Sequence, residues 1–172
     1  MRLELTESDR EFSLFNMTID SKSRGCDIVR MKVVDVMASV PIKERASELQ
    51  SKTQMLVRFE ISEKARTSVL KWMGDQLIVE PEYPWPEWFY KRMNISMRQY
   101  AGIVRGWITS ILLEERAYDT HTMRWTKVTQ IYKETGKLCV VPFARHTKRD
   151  STARNFGVEL ENILAIAKAI EM

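Results

Sequence analysis

His146-Thr-Lys-Arg-Asp-Ser-Thr-Ala-Arg-Asn-Phe-Gly157 is the stretch from which the fold of this chain can be inferred. A histidine heads a His-Thr-Lys run, and Asn155 follows nine residues later, two positions before Gly157. Beyond Gly157, apolar residues recur at helical spacing from Val158 to Ile170, which predicts a final amphipathic helix. Motifs elsewhere in the chain indicate the role of this histidine and of the polar run that follows it.

The totals fit one domain with an ordinary core. The chain has 172 residues, of which 44% are hydrophobic and 29% charged, and this length is ample for a single core. The 27 Lys and Arg exceed the 23 Asp and Glu, which gives a formal net charge of +4. This mild basic excess permits nucleic-acid binding but does not establish it.

Targeting, membrane and metal signals are weak in the sequence. The N-terminal residues are too charged for a signal peptide, and no apolar run is long enough to span a membrane. Cys26 and Cys139 have no Cys or His partner at zinc-ligand spacing, so they read as reduced thiols. We therefore expect a cytoplasmic protein with no membrane partner, no metal and no cofactor.

Hydrophobic periodicity predicts an α+β, mainly helical fold with a small three-stranded antiparallel sheet. The predicted helices cover residues 8–20, 27–30, 62–73, 96–113, 123–134 and 158–170, with caps at Ser8 or Asp9, Ser62 and Ser96. The predicted strands are Met31 to Val36, Arg45 to Ser51 and Met55 to Ile61. The segment from Tyr83 to Tyr90 contains two prolines, so it is either an aromatic cluster that pins a loop or an exposed partner site.

Four groups of residues, in this order and spacing, resemble the catalytic domain of the tyrosine recombinases, the phage-integrase family. The first is the run from Arg24 to Val36, with an acidic residue three positions after the arginine. The second is Lys52 in the hairpin turn. The third is His121-Thr-Met-Arg124, followed by Thr126-Lys127, and the fourth is His146. The resemblance covers nearly the whole chain, 1–172, and includes no separate N-terminal core-binding domain.

The resemblance implies DNA integration and site-specific DNA recombination, as encoded by mobile elements, through a 3′-phosphotyrosyl intermediate that needs no metal or nucleotide. Arg24 and Arg124 would hold the phosphate oxygens as two bidentate guanidinium forks. His121 and His146 would add hydrogen bonds to the same phosphate, and Lys52 would protonate the departing 5′ oxygen. Taken singly, each of these residues reads as an ordinary surface or structural side chain.

The sequence departs from the family at the nucleophile. Asn155 occupies the position of the family's tyrosine, and an amide cannot form the covalent phosphotyrosine. Arg145 stands where the family usually has glycine, and the segment before it, which contains Pro142, looks one residue short. Tyr132 lies on another element and is a poor substitute. The expected function is therefore that of a DNA-binding family member defective in strand cleavage.

Two other interpretations remain open. One is an active strand-exchange recombinase that uses a different nucleophile, and the other is a basic helical interaction protein without a DNA role. The expected partner is double-stranded DNA. The apolar stripe of the helix from Val158 to Ile170 needs a surface to cover it. That surface is either a neighbouring molecule, in an assembly of copies of the chain or of mixed recombinases, or the core of its own domain.

Overall fold

A computed structural model describes residues 8–37, 42–74, 81–87, 93–114, 116, 118–124 and 126–127. The elements in chain order are helices α1 (Asp9–Ser21), α2 (Gly25–Ile28) and α3 (Val33–Val36), strands β1 (Arg45–Leu49) and β2 (Leu56–Glu60), and helices α4 (Glu63–Met73) and α5 (Met97–Ser110). Residues 120–124 and 126–127 are also helical. The mixed, mainly helical class predicted from the sequence is confirmed.

Helix α1 begins at Ser8, one of the two predicted caps. Its hydroxyl oxygen accepts a hydrogen bond from a first-turn N–H at 3.3 Å, which satisfies a donor that the helix start would leave unpaired. The helix ends at Lys22, whose φ of 53° is left-handed. Between these ends Leu14, Phe15 and Met17 are buried, so α1 supplies the central apolar face of the core.

Helix α4 packs along α1. As predicted, Ser62 begins it, and its Oγ accepts a hydrogen bond from the third residue of the helix at 3.2 Å. The apolar side chains of its inner face are buried: Ala65, Val69 and Met73. Between the two helices, Asn16 Nδ2 donates to Ser68 Oγ at 3.1 Å. This buried polar pair fixes the register of the two helices.

Helix α5 closes the core from a third side. Ser96 and Gln99 form a capping box, with each side chain accepting a hydrogen bond from the other residue's backbone N–H, at 3.2 Å and 2.8 Å. The inner face buries Tyr100, Val104, Trp107 and Ile108. The helix ends at Ser110, short of the predicted Leu113, because Leu112 adopts a left-handed φ of 59°.

The sheet contains two strands among the described residues, β1 and β2, paired antiparallel with Ala46 opposite Phe59. Phe59 and Ile61 are buried, whereas Arg58 and Glu60 are exposed. This alternation is the one predicted from the sequence, and it is typical of a sheet with one face on the core. The hairpin turn lies at residues 51–53, one residue before the predicted connection of residues 52–54, and β1 ends at Leu49 instead of the predicted Ser51.

The prediction of a strand from Met31 to Val36 is wrong, because helix α3 occupies Val33–Val36 of this stretch. Its β-branched residues favour a strand, but local hydrogen bonds favour a helical turn. The Lys32 N–H donates to Asp35 Oδ2 at 2.9 Å. At the other end, Lys43 Nζ donates to the Val34 carbonyl oxygen at 2.7 Å. Both ends of the turn are therefore satisfied without a partner strand.

The described part of the aromatic segment after α4, residues 81–87, is bound to the core. Trp85 is 2% exposed, and its indole N–H donates to Ser13 Oγ at 2.9 Å. The Trp72 indole N–H donates to the Pro84 carbonyl oxygen at 2.7 Å. These contacts favour the interpretation of a pinned loop over that of a partner site for residues 81–87.

Several predicted elements lie outside the described residues. They are the helix of residues 123–134 beyond residue 127, the segment that contains Pro142, and the final helix from Val158 to Ile170. The assembly predicted for that helix stays a prediction.

Candidate functional site

Arg24 lies at the N-terminal end of α2, where its backbone is extended. Its carbonyl oxygen accepts hydrogen bonds from the N–H groups of Asp27 and Ile28 at 2.8 Å and 3.0 Å. Its guanidinium Nη1 lies 3.8 Å from Asp27 Oδ2 and donates to Gln50 Oε1 at 3.5 Å. The side chain is thus held between α2 and the end of β1, yet it remains 28% exposed.

The start of α2 also presses closely on α5. A Cβ atom at Gly25 would lie 2.9 Å from Tyr100 Cε1 and 2.9 Å from Met97 Cε. Real Cβ atoms are essentially never found so close to another heavy atom. The absence of a side chain at Gly25 therefore sets how near α2, and Arg24 directly before it, can approach the core.

Arg124 comes from the helical stretch that starts at residue 120. Asp119 Oδ1 accepts hydrogen bonds from the N–H groups of His121 and Thr122 at 2.8 Å and 3.0 Å, which is the chemistry of a helix cap. Burial lowers the pKa of Arg124, and the positive charge of Arg24 lowers it further. The fold therefore brings these two arginines, from distant parts of the sequence, within electrostatic range of each other.

Asp27 connects α2 to the hairpin turn. Its side chain is buried, and Oδ1 accepts a hydrogen bond from the Ser51 N–H at 2.9 Å. From the other side of the turn, Arg30 Nη1 donates to Ser51 Oγ at 3.4 Å. Lys52 follows directly and is exposed. The backbone at the base of Lys52 is thus tied to the helix that begins beside Arg24.

Glu48 is a buried acid that the sequence reasoning missed. It is 6% exposed, and its Oε1 accepts a hydrogen bond from Ser23 Oγ at 2.5 Å. Burial raises the pKa of Glu48 to about 7, against the smaller lowering effects of Ser23 and Arg124. The signal was present in the strand alternation, because Ala46, Glu48 and Gln50 share the inward face of the hairpin. A charged residue at an inward strand position is unusual, and it indicates a site where the surroundings shift the pKa of that residue.

Acidic side chains lie near both arginines. Arg24 and Arg124 carry two positive charges, and Asp27 and Glu48 bring two carboxyl groups into electrostatic contact with Arg124. Buried charges of one sign are costly unless opposite charges lie nearby. Asp27 lies 3.8 Å from Arg24 and acts electrostatically on Arg124, so it helps to hold the two positive charges near each other, and Arg24 stays partly exposed to solvent.

The other predicted site residues have different positions. His121 lies one helical turn before Arg124 and is exposed. Lys52 is exposed in the hairpin turn. His146 and Asn155 lie outside the described residues. A catalytic role for any of the six residues stays a prediction.

Two general findings concern the described residues alone. They contain no group of three or more His, Cys, Asp or Glu side chains that could hold a metal ion. None of the helices described is both long and apolar enough to cross a membrane.

Comparison with known proteins links this arrangement to a fold. No protein-family model and no curated protein sequence matches the chain. Among solved structures, the chain is similar to the crystal structure of XerA recombinase, with a TM-score of 0.69 and 11% sequence identity. That similarity covers 93% of this chain and 57% of XerA.

A second similar structure is the XerH site-specific recombinase bound to its difH substrate in a pre-cleavage complex. The TM-score is 0.58 at 14% identity, over 100% of this chain and 48% of XerH. Both structures are of recombinases, and this chain spans about half the length of each. The similarity shows that the chain has a fold resembling recombinase catalytic domains.

Proposed function

We propose that this chain binds duplex DNA through the phosphate backbone of the DNA. In this proposal Arg24 and Arg124 contact the same phosphate. The chain is then a tyrosine-recombinase relative that is defective in strand cleavage. The observation that carries the proposal is that Arg24 and Arg124 lie within electrostatic range of each other, since the charge of Arg24 adds to burial in lowering the pKa of Arg124. Either arginine alone would be interpreted as an ordinary surface residue, and the similarity to a recombinase fold supports a shared role for the two.

The chemistry of the pair favours a phosphodiester. Two neighbouring guanidinium groups repel each other; burial is the main cause of the lowered pKa of Arg124, and the charge of Arg24 lowers it further. A bound anion removes that repulsion, and the planar fork of each guanidinium matches two phosphate oxygens. DNA presents such anions at a regular spacing. Duplex DNA is therefore the ligand class that the pair fits best.

Exposed basic side chains lie on or beside the elements that carry the pair. Lys52 and Arg30 are exposed at the hairpin turn and beside it, and His121 is exposed on the helix of Arg124. Positive charges that face solvent speed association with DNA and make it salt-dependent. XerH, which has a similar fold, was solved with its DNA substrate, and this supports DNA as the partner by analogy.

The cleavage defect rests on Asn155. Its amide nitrogen is a poor nucleophile, because the lone pair is delocalised into the carbonyl group, and the side chain has no ionisable proton. Of the described tyrosines, Tyr100 and Tyr118 are 0% and 8% exposed, and the half-buried ring of Tyr83 lies beside Lys32. The proposed function therefore combines phosphate contacts with the loss of the phenol at the family's nucleophile position.

A suicide substrate tests the cleavage defect. We expect the unmodified chain to form no covalent adduct with a nicked, labelled duplex on a denaturing gel. Asn155→Tyr restores the phenol at the family's position, and we expect it to give a trappable adduct. Asn155→Phe is the matched control, since it adds the ring without the hydroxyl. An adduct formed by the unmodified chain would contradict the defect and favour an active recombinase with another nucleophile.

A salt titration tests DNA binding. Labelled duplex is titrated at several salt concentrations with the wild type, Arg24→Gln and Arg124→Gln. Arg105→Gln is the control, because Arg105 is exposed on α5 and its loss changes the net charge equally. We expect each site variant to bind more weakly on every duplex and to reduce the slope of log affinity against log salt by about 1.

The control should retain nearly the wild-type slope. A wild-type affinity that does not change with salt, or an absence of binding at low salt, would contradict the proposal. That result would favour the alternative of a helical interaction protein without a DNA role.

A further inference from the structure

Glu48 lies within electrostatic range of Arg124, and only one of its two carboxyl oxygens has a hydrogen-bond partner among the described residues. Its Oε1 accepts the hydrogen bond from Ser23, but its buried Oε2 has no hydrogen-bond partner among the described residues. Asp27 Oδ2 also has none there, although it lies 3.8 Å from Arg24 Nη1. A buried carboxylate oxygen without a donor is costly, so the local geometry favours a protonated Glu48.

The charged groups that act on Glu48 come from three elements. Asp27 in α2 and Asp35 in α3 both disfavour its ionised form, whereas Arg124 in the helical stretch of residues 120–127 favours it. Burial is the largest effect, and together these raise the pKa of Glu48 to about 7. The charge on Glu48 therefore changes near neutral pH, within reach of the phosphate-binding arginines.

We propose that Glu48 couples phosphate binding to proton uptake, so that the chain binds DNA more tightly in mildly acidic than in alkaline solution. The inference rests on the proposed DNA-binding function. When Glu48 is ionised, it and Asp27 neutralise the charges of Arg24 and Arg124. When it is protonated, one net positive charge is left to attract a phosphate.

The sign of the effect follows from linkage. A phosphate bound at the arginines repels an ionised Glu48, so the pKa of Glu48 is higher in the complex than in the free protein. Below the free pKa both states are protonated, and affinity does not depend on this group. Above it, binding requires proton uptake and affinity falls. Each unit of pKa rise on binding corresponds to about a tenfold loss of affinity at high pH.

The test compares the wild type with Glu48→Gln, which keeps the shape of the side chain without its charge. Duplex affinity is measured at constant ionic strength from about pH 5.5 to about pH 8.5, a range that brackets the titration. Every other titratable group is the same in both proteins, so its contribution cancels in the ratio of their affinities. We expect equal affinities at the acidic end and about tenfold tighter binding by Glu48→Gln at the alkaline end.

Ser23→Ala provides an independent check that keeps the carboxyl group. The hydrogen bond from Ser23 lowers the pKa of Glu48, so its removal should move the midpoint of the pH dependence to higher pH. A purely structural role of Ser23 would leave that midpoint unchanged. If circular dichroism shows that Glu48→Gln does not fold, the midpoint measured for Ser23→Ala tests the coupling by itself.

The outcomes separate the two proposals. An absence of DNA binding by every protein, at every pH and at low salt, overturns the proposed function and the coupling with it. Salt-dependent binding with the same pH profile for wild type and Glu48→Gln, or an unmoved midpoint for Ser23→Ala, overturns the coupling alone. A ratio that grows with pH, together with a raised midpoint, supports it.

Discussion

Adding one methyl group at Gly25 should destabilise the protein, because the start of α2 has no room for it. The new Cβ would lie 2.9 Å from both Met97 Cε and Tyr100 Cε1, and 3.0 Å from Tyr100 Cδ1. The Met97 side chain is 40% exposed and can move aside. Tyr100 is 0% exposed, and its hydroxyl lies 3.4 Å from Thr18 Oγ1, so the rigid ring sets the cost.

The size of the effect follows from two opposing contributions. Overpacking of a well-packed core costs about 1–3 kcal/mol. Replacing glycine by alanine returns about 0.4–1 kcal/mol where the backbone permits, through the unfolded state. We therefore expect Gly25→Ala to lower the free energy of unfolding by about 1–2 kcal/mol. For a chain of this size, this corresponds to a Tm lower by about 2–8 °C.

Urea denaturation followed by circular dichroism measures the change, and α5 offers matched controls. Gly102 and Gly106 lie in that helix, and a Cβ at either position would meet nothing within 4 Å. Alanine at each should stabilise the protein by about 0.5–1 kcal/mol, through helix propensity alone. A Gly25→Ala variant as stable as these controls would refute the close packing of α2 on α5, and with it the account of how Arg24 is positioned.

Two further predictions concern buried charges. Burial raises the pKa of Glu48 from an ordinary 4.5 to about 7, so the folded state holds a proton that the unfolded state releases. Relative to Glu48→Gln, the wild type should lose about 3 kcal/mol of stability as pH rises from about 4.5 to about 7. Urea titrations at stepped pH measure this loss. A difference in unfolding free energy between the two proteins that does not change with pH would contradict it. Lys127 Nζ pairs with the buried Asp20, whose Oδ2 also accepts the Ser62 N–H at 2.7 Å. Lys127→Met should therefore cost about 2 kcal/mol in the same assay, whereas Lys71→Met, which breaks an exposed pair, should cost less than about 1 kcal/mol; equal losses would count against a structural role for the Asp20 pair.

The parts of the fold that local chemistry determines were predictable from the sequence. Ser8, Ser62 and Ser96 all begin helices as predicted, because a hydroxyl and the N–H groups it caps lie within a few residues of each other. The alternation of Phe59 and Ile61 with exposed neighbours also placed β2 correctly. In such places propensity and pattern agree with the final packing.

Other features depend on contacts between distant residues and were not predictable. The stretch from Met31 to Val36 has strand propensity, yet Lys43, in a later segment, satisfies the end of a helical turn there. The burial of Glu48 depends on Ser23 and Asp27, which lie in another element. The motifs named Arg24 and Arg124 as partners through a family resemblance, whereas their proximity comes from tertiary packing that no periodicity encodes.

The central claim is that Arg24 and Arg124 contact one phosphate together. A double-mutant cycle measures this most directly: duplex affinity of the wild type, Arg24→Gln, Arg124→Gln and the double variant at one low salt concentration. Groups that act on one ligand atom are coupled, so the double variant should lose less affinity than the sum of the single losses, by about 1 kcal/mol or more. The cycle of Arg24 with Arg105 should be additive within about 0.5 kcal/mol. Additive losses for Arg24 and Arg124 would contradict the claim and show that they contact DNA separately, or not at all.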